Sequence, residues 1–169
     1  MQQSGAVTLV ERLAPSDPRQ LPLLQLPLDA DQRTSLRGHR RSACGRDLVL
    51  QLPRGAALQP GERLLSADGA LQVLVLAAPE PVMEVRSADP LALLQAAYHL
   101  GNRHVAMELH ADRLVLLHDS VLADLLQRRG LQVDCRLAPF EPEAGAYAGT
   151  GHHDHDHDHS HSHSHSHGH

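Results

Sequence analysis

Apolar residues in the first half of the chain come in short runs of period two, cut by turn residues. In the second half, runs of helical period alternate with them. Val7-Thr8-Leu9-Val10 predicts a strand. Leu21 to Leu28 holds Pro22 and Pro27 and reads as an edge strand or extended loop, because proline has no N–H to give a ladder. From Asp47 to Leu52 the alternation puts Leu48, Leu50 and Leu52 on one face. Pro53-Arg54-Gly55 and Pro60-Gly61-Glu62 are breaks. Leu64-Leu65, an Asp68-Gly69 turn and Leu71 to Leu76 then form a hairpin pattern. Short strands at this spacing predict a small β-rich domain over residues 1–78.

Pro79 to Pro81 reads as a linker, after which the pattern changes. Val82 to Arg86 predicts a short strand. Asp89 followed by Pro90 supplies an N-cap and a proline at the first helical position. Leu91, Leu94 and Tyr98, flanked by Leu93 and Ala97, predict the helical stripe. Gly101 and Asn102 are residue types that end a helix in a left-handed turn. The strand expected next runs from His104 to His110, with His104, Ala106, Glu108 and His110 facing away from Val105, Met107 and Leu109. A tight turn at Ala111-Asp112 sets His104 opposite Asp119 and His118 opposite Val105. A second helix is capped by Asp119 or Ser120, carries Val121, Leu122, Leu125 and Leu126, and stops at Gly130. Leu131, Val133, Cys135 and Leu137 alternate in a last strand. The order βαββαβ predicts a ferredoxin-like domain over residues 79–147, in an α+β protein whose residues 148–169 form a disordered His-rich tail.

Composition narrows the picture. With one Phe, two Tyr and no Trp, the core must be built from Leu, Val and Ala. All 15 cationic residues are arginine, and the net charge of −5 includes Asp154, Asp156 and Asp158 in the tail. No basic excess marks a nucleic-acid surface. Arg37, Arg40, Arg41 and Arg46 read as the solvated face of a hairpin. Without a basic-then-apolar N-terminus or an apolar run near 18 residues, no membrane association is expected, and the chain is placed in the cytoplasm. Cys44 and Cys135 form neither a CxxC pair nor a disulfide framework, and are expected to be one half-exposed and one buried thiol.

The candidate chemistry is carried by histidine. His104 stands at the start of its strand, on the face away from the helices. Neutral imidazole is a common ligand for zinc, copper, iron and nickel. One imidazole makes no tight site, but a two-fold dimer would bring two copies of His104 together. His118 is the nearer second candidate. His110, six residues along the strand, lies roughly 20 Å off at strand rise and cannot share an ion with His104. His99, in the last helical turn, is accounted for by the helix dipole. The tail holds His152, His153, His155, His157, His159, His161, His163, His165, His167 and His169, separated mostly by Asp or Ser. It has no apolar residue with which to fold, and it can chelate divalent ions wherever the chain loops. Such ligands release metal as pH falls through the free imidazole pKa of about 6.5.

Taken together, YHLGNRHVAMEL (98–109), HDSVLADLLQRRGLQV (118–133), PFEPEAGAY (139–147), RTSLRGHRR (33–41) and DLVLQLPRGAALQPGERL (47–64) resemble the UreE family of urease accessory proteins. The resemblance implies a peptide-binding β-rich domain and a ferredoxin-like metal-binding domain. It further implies a homodimer holding nickel between two copies of His104, with delivery to the urease apoprotein alongside the accessory GTPase complex. The family's secondary histidines form an HxH pattern before the second helix; His118 fills its first position and Ser120 replaces its second. Against this nickel metallochaperone stands a storage or sequestration protein for nickel, zinc or copper, with the tail as its main binder. A hydrolytic metalloenzyme is disfavoured: the body has no HExxH and only scattered histidines. Imidazole chemistry alone does not rank nickel above zinc; nickel comes from the resemblance.

Overall fold

The computed structural model describes residues 5–144; the tail histidines therefore lie outside the described residues. Six strands make the first sheet: β1 (Val7–Leu13), β2 (Leu23–Leu28), β3 (Arg37–Arg41), β4 (Asp47–Gln51), β5 (Arg63–Ser66) and β6 (Gln72–Ala77), in spatial order β2-β6-β5-β1-β4-β3. Leu48, Leu50 and Leu52 are fully buried together, as their alternation predicts, against Leu9, Leu26, Leu64 and Val73. The Asp68-Gly69 turn also forms: Gly69 has φ +69, and the Asp68 carboxylate accepts from Ser66 Oγ and the Ala70 amide. The proline-bearing Leu23–Leu28 segment is an edge strand, parallel to β6. Arg37, Arg41 and Arg46 are exposed on the β3–β4 hairpin.

The second sheet contains β7 (Pro79–Arg86), β8 (Met107–Leu109), β9 (Arg113–Leu117) and β10 (Gln132–Pro139), in order β10-β7-β9-β8 with every neighbour antiparallel. With α2 (Pro90–Gly101) after β7 and α3 (Ser120–Arg128) after β9, this is the ferredoxin-like arrangement. A five-residue helix, α1 (Ala30–Thr34), belongs to the first half of the chain. Both larger helices cover one face: Leu93, Ala96, Leu100 and Leu126 pack on Met83, Val85, Met107, Leu114 and Leu116.

Three expectations are corrected here. Pro79 to Pro81 is no linker; it opens β7, where Pro79 pairs with Pro139 and Pro81 with Leu137. The prolines are tolerated because β9 pairs with β7 only from Val82 onward, leaving one side of the strand without a ladder. The buried stripe of α2 is Leu93, Ala96 and Leu100, while Leu91, Leu94 and Tyr98 remain 59%, 68% and 67% exposed. Two apolar stripes are thus present on one helix, and burial on the sheet selects the narrower one. Cys135 is exposed, like Cys44, because β10 is an edge strand and its later residues run past the helices.

The other face of this sheet is partly closed by the chain itself. Phe140, the single phenylalanine, is fully buried against Val82 and Val115, with Ala30 of α1 and Ala138 beside it. Arg33, only 4% exposed, donates from Nη2 to the Phe140 carbonyl at 2.5 Å, and the Ala30 amide donates to Glu80 Oε1 at 2.8 Å. These contacts dock α1 on the second sheet and fix the direction in which the chain leaves β10.

Candidate metal site

His104 does not begin a strand. It has φ +56, the only positive φ at a non-glycine among the described residues, and β8 starts three residues later. The hydrogen bonds explain why. The Val105 amide donates to the Leu100 carbonyl at 3.1 Å and the His104 amide to the Gly101 carbonyl at 2.9 Å, the paired bonds of a Schellman helix end. Its left-handed position falls on His104, not on Gly101 or Asn102; Asn102 is right-handed helical. Val105 and Leu100 share the apolar cluster beneath the helices, the contact that usually accompanies this motif. The helix therefore ends where burial of Val105 requires it to.

α3 ends by the same pair of bonds, Leu131 N–H to the Leu126 carbonyl and Gly130 N–H to the Gln127 carbonyl, with Gly130 at φ +81. One fold thus uses one helix ending twice, with glycine in one copy and histidine in the other. A left-handed L-residue costs on the order of 1–2 kcal/mol, although histidine enters this region more readily than most residues. The strained turn holds the His104 side chain in solvent, where it makes no hydrogen bond to a described residue.

The other histidines separate as the strand register dictates. Met107 pairs with Leu116 and Leu109 with Leu114, the pairing expected from a tight turn at 111–112. His118 is exposed just beyond β9, its amide donating to the Pro81 carbonyl at 3.0 Å. It lies at the same sheet end as the His104 turn, but the expected pairings of His104 with Asp119 and His118 with Val105 do not form, because β8 is only Met107–Leu109. His110 is at the opposite end, its Nε2 2.8 Å from Glu108 Oε2. His99 stands edge-on to Tyr98 with ring centroids 5.5 Å apart. No group of three or more His, Cys, Asp or Glu side chains able to hold a metal exists among the described residues. Among the described residues, then, the histidines of one subunit stand apart and do not enclose an ion.

One positioning feature escaped the hydrophobic pattern. After Phe140 crosses beneath β7 and β9, the Glu141 amide donates to Glu108 Oε1 and the Glu143 amide to the Met107 carbonyl, both at 2.8 Å. The segment that leads into the tail is thereby pinned to β8, the strand entered from His104. The signal available in advance was the lone Phe in an aromatic-poor chain, set between Pro139 and Pro142.

A ferredoxin-like sheet displays an imidazole at its rim, and Glu141 and Glu143, on the segment that leads toward the His-rich stretch, are bonded alongside. The C-terminal domain model of the UreE urease accessory proteins matches residues 80–169. The chain is 54% identical over 151 residues to the urease accessory protein UreE of Synechococcus sp. (strain CC9311), covering 88% of this chain and 97% of that one. It is 58% identical over 130 residues to that of Synechococcus sp. (strain WH7805), covering 77% and 74%. With that of Burkholderia lata the identity is 49% over 142 residues, covering 84% and 67%. The chain belongs to the UreE family of urease accessory proteins, with a role in urease maturation. No helix among the described residues is long and apolar enough to cross a membrane.

Proposed function

We propose that this chain is a cytoplasmic nickel metallochaperone, itself without catalytic activity, that binds Ni(II) and donates it to the urease apoprotein with the accessory GTPase complex. The observation that carries the reading is the exposed His104 imidazole on a strained turn, with the tail-bearing segment bonded to the strand that follows it. Two copies of His104 across a two-fold axis supply the first two ligands. The exposed stripe of Leu91, Leu94 and Tyr98 on the same helix offers apolar surface for that homodimer. Glu143 is anchored, and His152 follows nine residues later, within about 30 Å of extended chain. Tail histidines from 152 to 169 thus reach the His104 turn, complete the ligand set and reload it. His118 serves as an auxiliary ligand at the same sheet end. Residues 1–78 form the partner-binding domain, 79–147 the metal-binding domain and 148–169 the reservoir.

Calorimetric titration with nickel at pH 7.5 tests this on the full chain, on residues 1–150, and on 1–150 carrying His104→Ala. One tight ion per dimer in the truncated protein, lost on substitution, is the expected result. Loss of all tight binding on removal of the tail alone would instead make the chain a sequestration protein for nickel, zinc or copper, a reading supported by ten histidines in 19 residues. Parallel titration with zinc and copper ranks the metals.

A further inference from the structure

The free edge of β10 carries an arrangement that the metal chemistry does not use. β10 is eight residues long, pairs with β7 on one side only, and lies at the edge of the sheet opposite β8. Four consecutive residues, Asp134, Cys135, Arg136 and Leu137, are exposed, Leu137 at 72%. A long edge with unpaired N–H and C=O groups is a template for another strand unless it is blunted, commonly by like charges that repel a copy. Here the two charges are of opposite sign and two residues apart, so they share one face of the strand.

The consequence appears when a second copy is laid antiparallel on the edge with its two-fold axis at Cys135. Asp134 then stands opposite Arg136 of the second copy, and the symmetry repeats this pair. Val133 stands opposite Leu137, again twice, and Cys135 faces Cys135. Charge meets opposite charge, and apolar residue meets apolar residue on the other face. Shifting the register by one residue puts Asp134 opposite Leu137 and loses both matches.

The surrounding charges favour the same pairing. Glu84, buried in β7, accepts from Arg86, and Arg136 Nη2 forms an ion pair with it at 2.8 Å, with Arg113 Nε 3.8 Å away. Asp112 bonds Arg86 and Arg113 as well. Three guanidinium groups thus meet two carboxylates, and Arg136, 54% exposed, is the one that does not also bond Asp112. Asp134 has no ion-pair partner among the described residues. A second copy would supply a second anion to Arg136, beside Glu84, and a cation to Asp134.

We propose that β10 is a strand-addition surface for a second copy of this chain, joining two four-stranded sheets into one eight-stranded sheet through the Asp134–Arg136 pairs. Because β10 and the His104 turn lie at opposite sides of the sheet, this contact is separate from the dimer that pairs His104 and links such dimers into larger assemblies. The occupant is a second copy because the edge is self-complementary, which no arbitrary partner strand would require.

The test uses the full chain with EDTA present, so that metal bridging through the histidines is absent, and with Cys44→Ala, so that Cys135 is the only thiol. At about 100 µM, where a micromolar contact is populated, a short bismaleimide should join Cys135 to Cys135. Residues directly opposite in such a pair have Cβ atoms about 4.5–5.5 Å apart. Asp134→Arg should lower cross-linking at least tenfold and halve the mass seen by sedimentation velocity, while Asp134→Glu keeps both. Circular dichroism checks that the variants are folded. Absence of cross-linking in the parent protein, or cross-linking that Asp134→Arg leaves unchanged, would overturn the proposal. Its failure leaves the nickel reading intact, because His104 is not part of this contact.

Discussion

Replacing His104 with glycine should remove the tight ion proposed to be shared by the dimer while leaving the fold as stable as before or more so. The reasoning rests on φ +56 at His104 and on the matching bonds at the end of α3, where Gly130 holds φ +81. Relief of a left-handed L-residue is worth about 1–2 kcal/mol, and the extra freedom of glycine in the unfolded chain takes back about 0.5–1 kcal/mol. The net is a gain of about 0–1.5 kcal/mol, at roughly 4–8 °C per kcal/mol for a domain of 60–100 residues. His104→Ala keeps the strain and loses the imidazole, so it should fall below His104→Gly by about 1 kcal/mol. Gly130→Ala is the internal control. A Cβ there meets nothing within 4 Å, so its expected loss of about 1 kcal/mol is purely conformational. Thermal unfolding in EDTA, followed by far-ultraviolet circular dichroism, reads all three. If His104→Gly lost 1 kcal/mol or more, the histidine would be holding the turn together, and the claim of strain retained for an imidazole would fail.

Phe140→Ala should cost about 3–5 kcal/mol by denaturant titration, since the side chain is fully buried between the second sheet and α1; a loss below about 1 kcal/mol would mean that the junction is not packed. The same variant should speed hydrogen exchange at the Glu143 amide, which bonds the Met107 carbonyl only while the segment lies across the sheet. Glu84→Gln removes the charge that faces Arg86, Arg113 and Arg136 and should cost about 1–3 kcal/mol; a stabilised variant would contradict the role given to that carboxylate. Asp17 is held down to about 2, first by the side-chain hydrogen bond from Arg19. A depressed carboxylate stabilises the folded chain above its unfolded pKa near 3.9, and that contribution disappears as pH falls through about 2. Arg19→Ala should return the Asp17 carboxyl toward its ordinary range in an NMR titration; an unmoved midpoint would rule out the pairing.

Local patterns specified the second sheet well because its elements can be read from three signals: a cap, a period and a stop. Asp89-Pro90, the 111–112 turn and Gly130 each have a backbone reason that does not depend on neighbours. What the pattern could not resolve is which of two apolar stripes on α2 meets the sheet. Leu91, Leu94 and Tyr98 are as hydrophobic as Leu93, Ala96 and Leu100, and only packing distinguishes them. The left-handed position failed for a related reason. Gly101 and Asn102 have the propensity, but the helix runs until Val105 packs, partly buried, against the core cluster, and His104 takes the strained position that results. The expectation that one of the two thiols is buried failed because alternation reports which face a residue is on, while burial also depends on whether anything covers that face.

If His104 binds metal as proposed, the same distinction explains why an exposed imidazole suits transfer. A closed site with four protein ligands would hold its ion tightly and release it slowly, as structural metal sites do. On the proposed reading one subunit contributes His104 with His118 as an auxiliary, and the other ligands come from a second subunit, from the tail or from the acceptor. Each of those can leave without unfolding the sheet, because none belongs to the core around Met83, Leu100 and Leu116. On the same reading, the Glu143–Met107 bond sets the point from which the tail departs, and so raises the effective concentration of its imidazoles at the turn without building them into the site. Stability and exchange are thereby assigned to different parts of the chain: the packed sheet positions one ligand, and groups outside it supply the others.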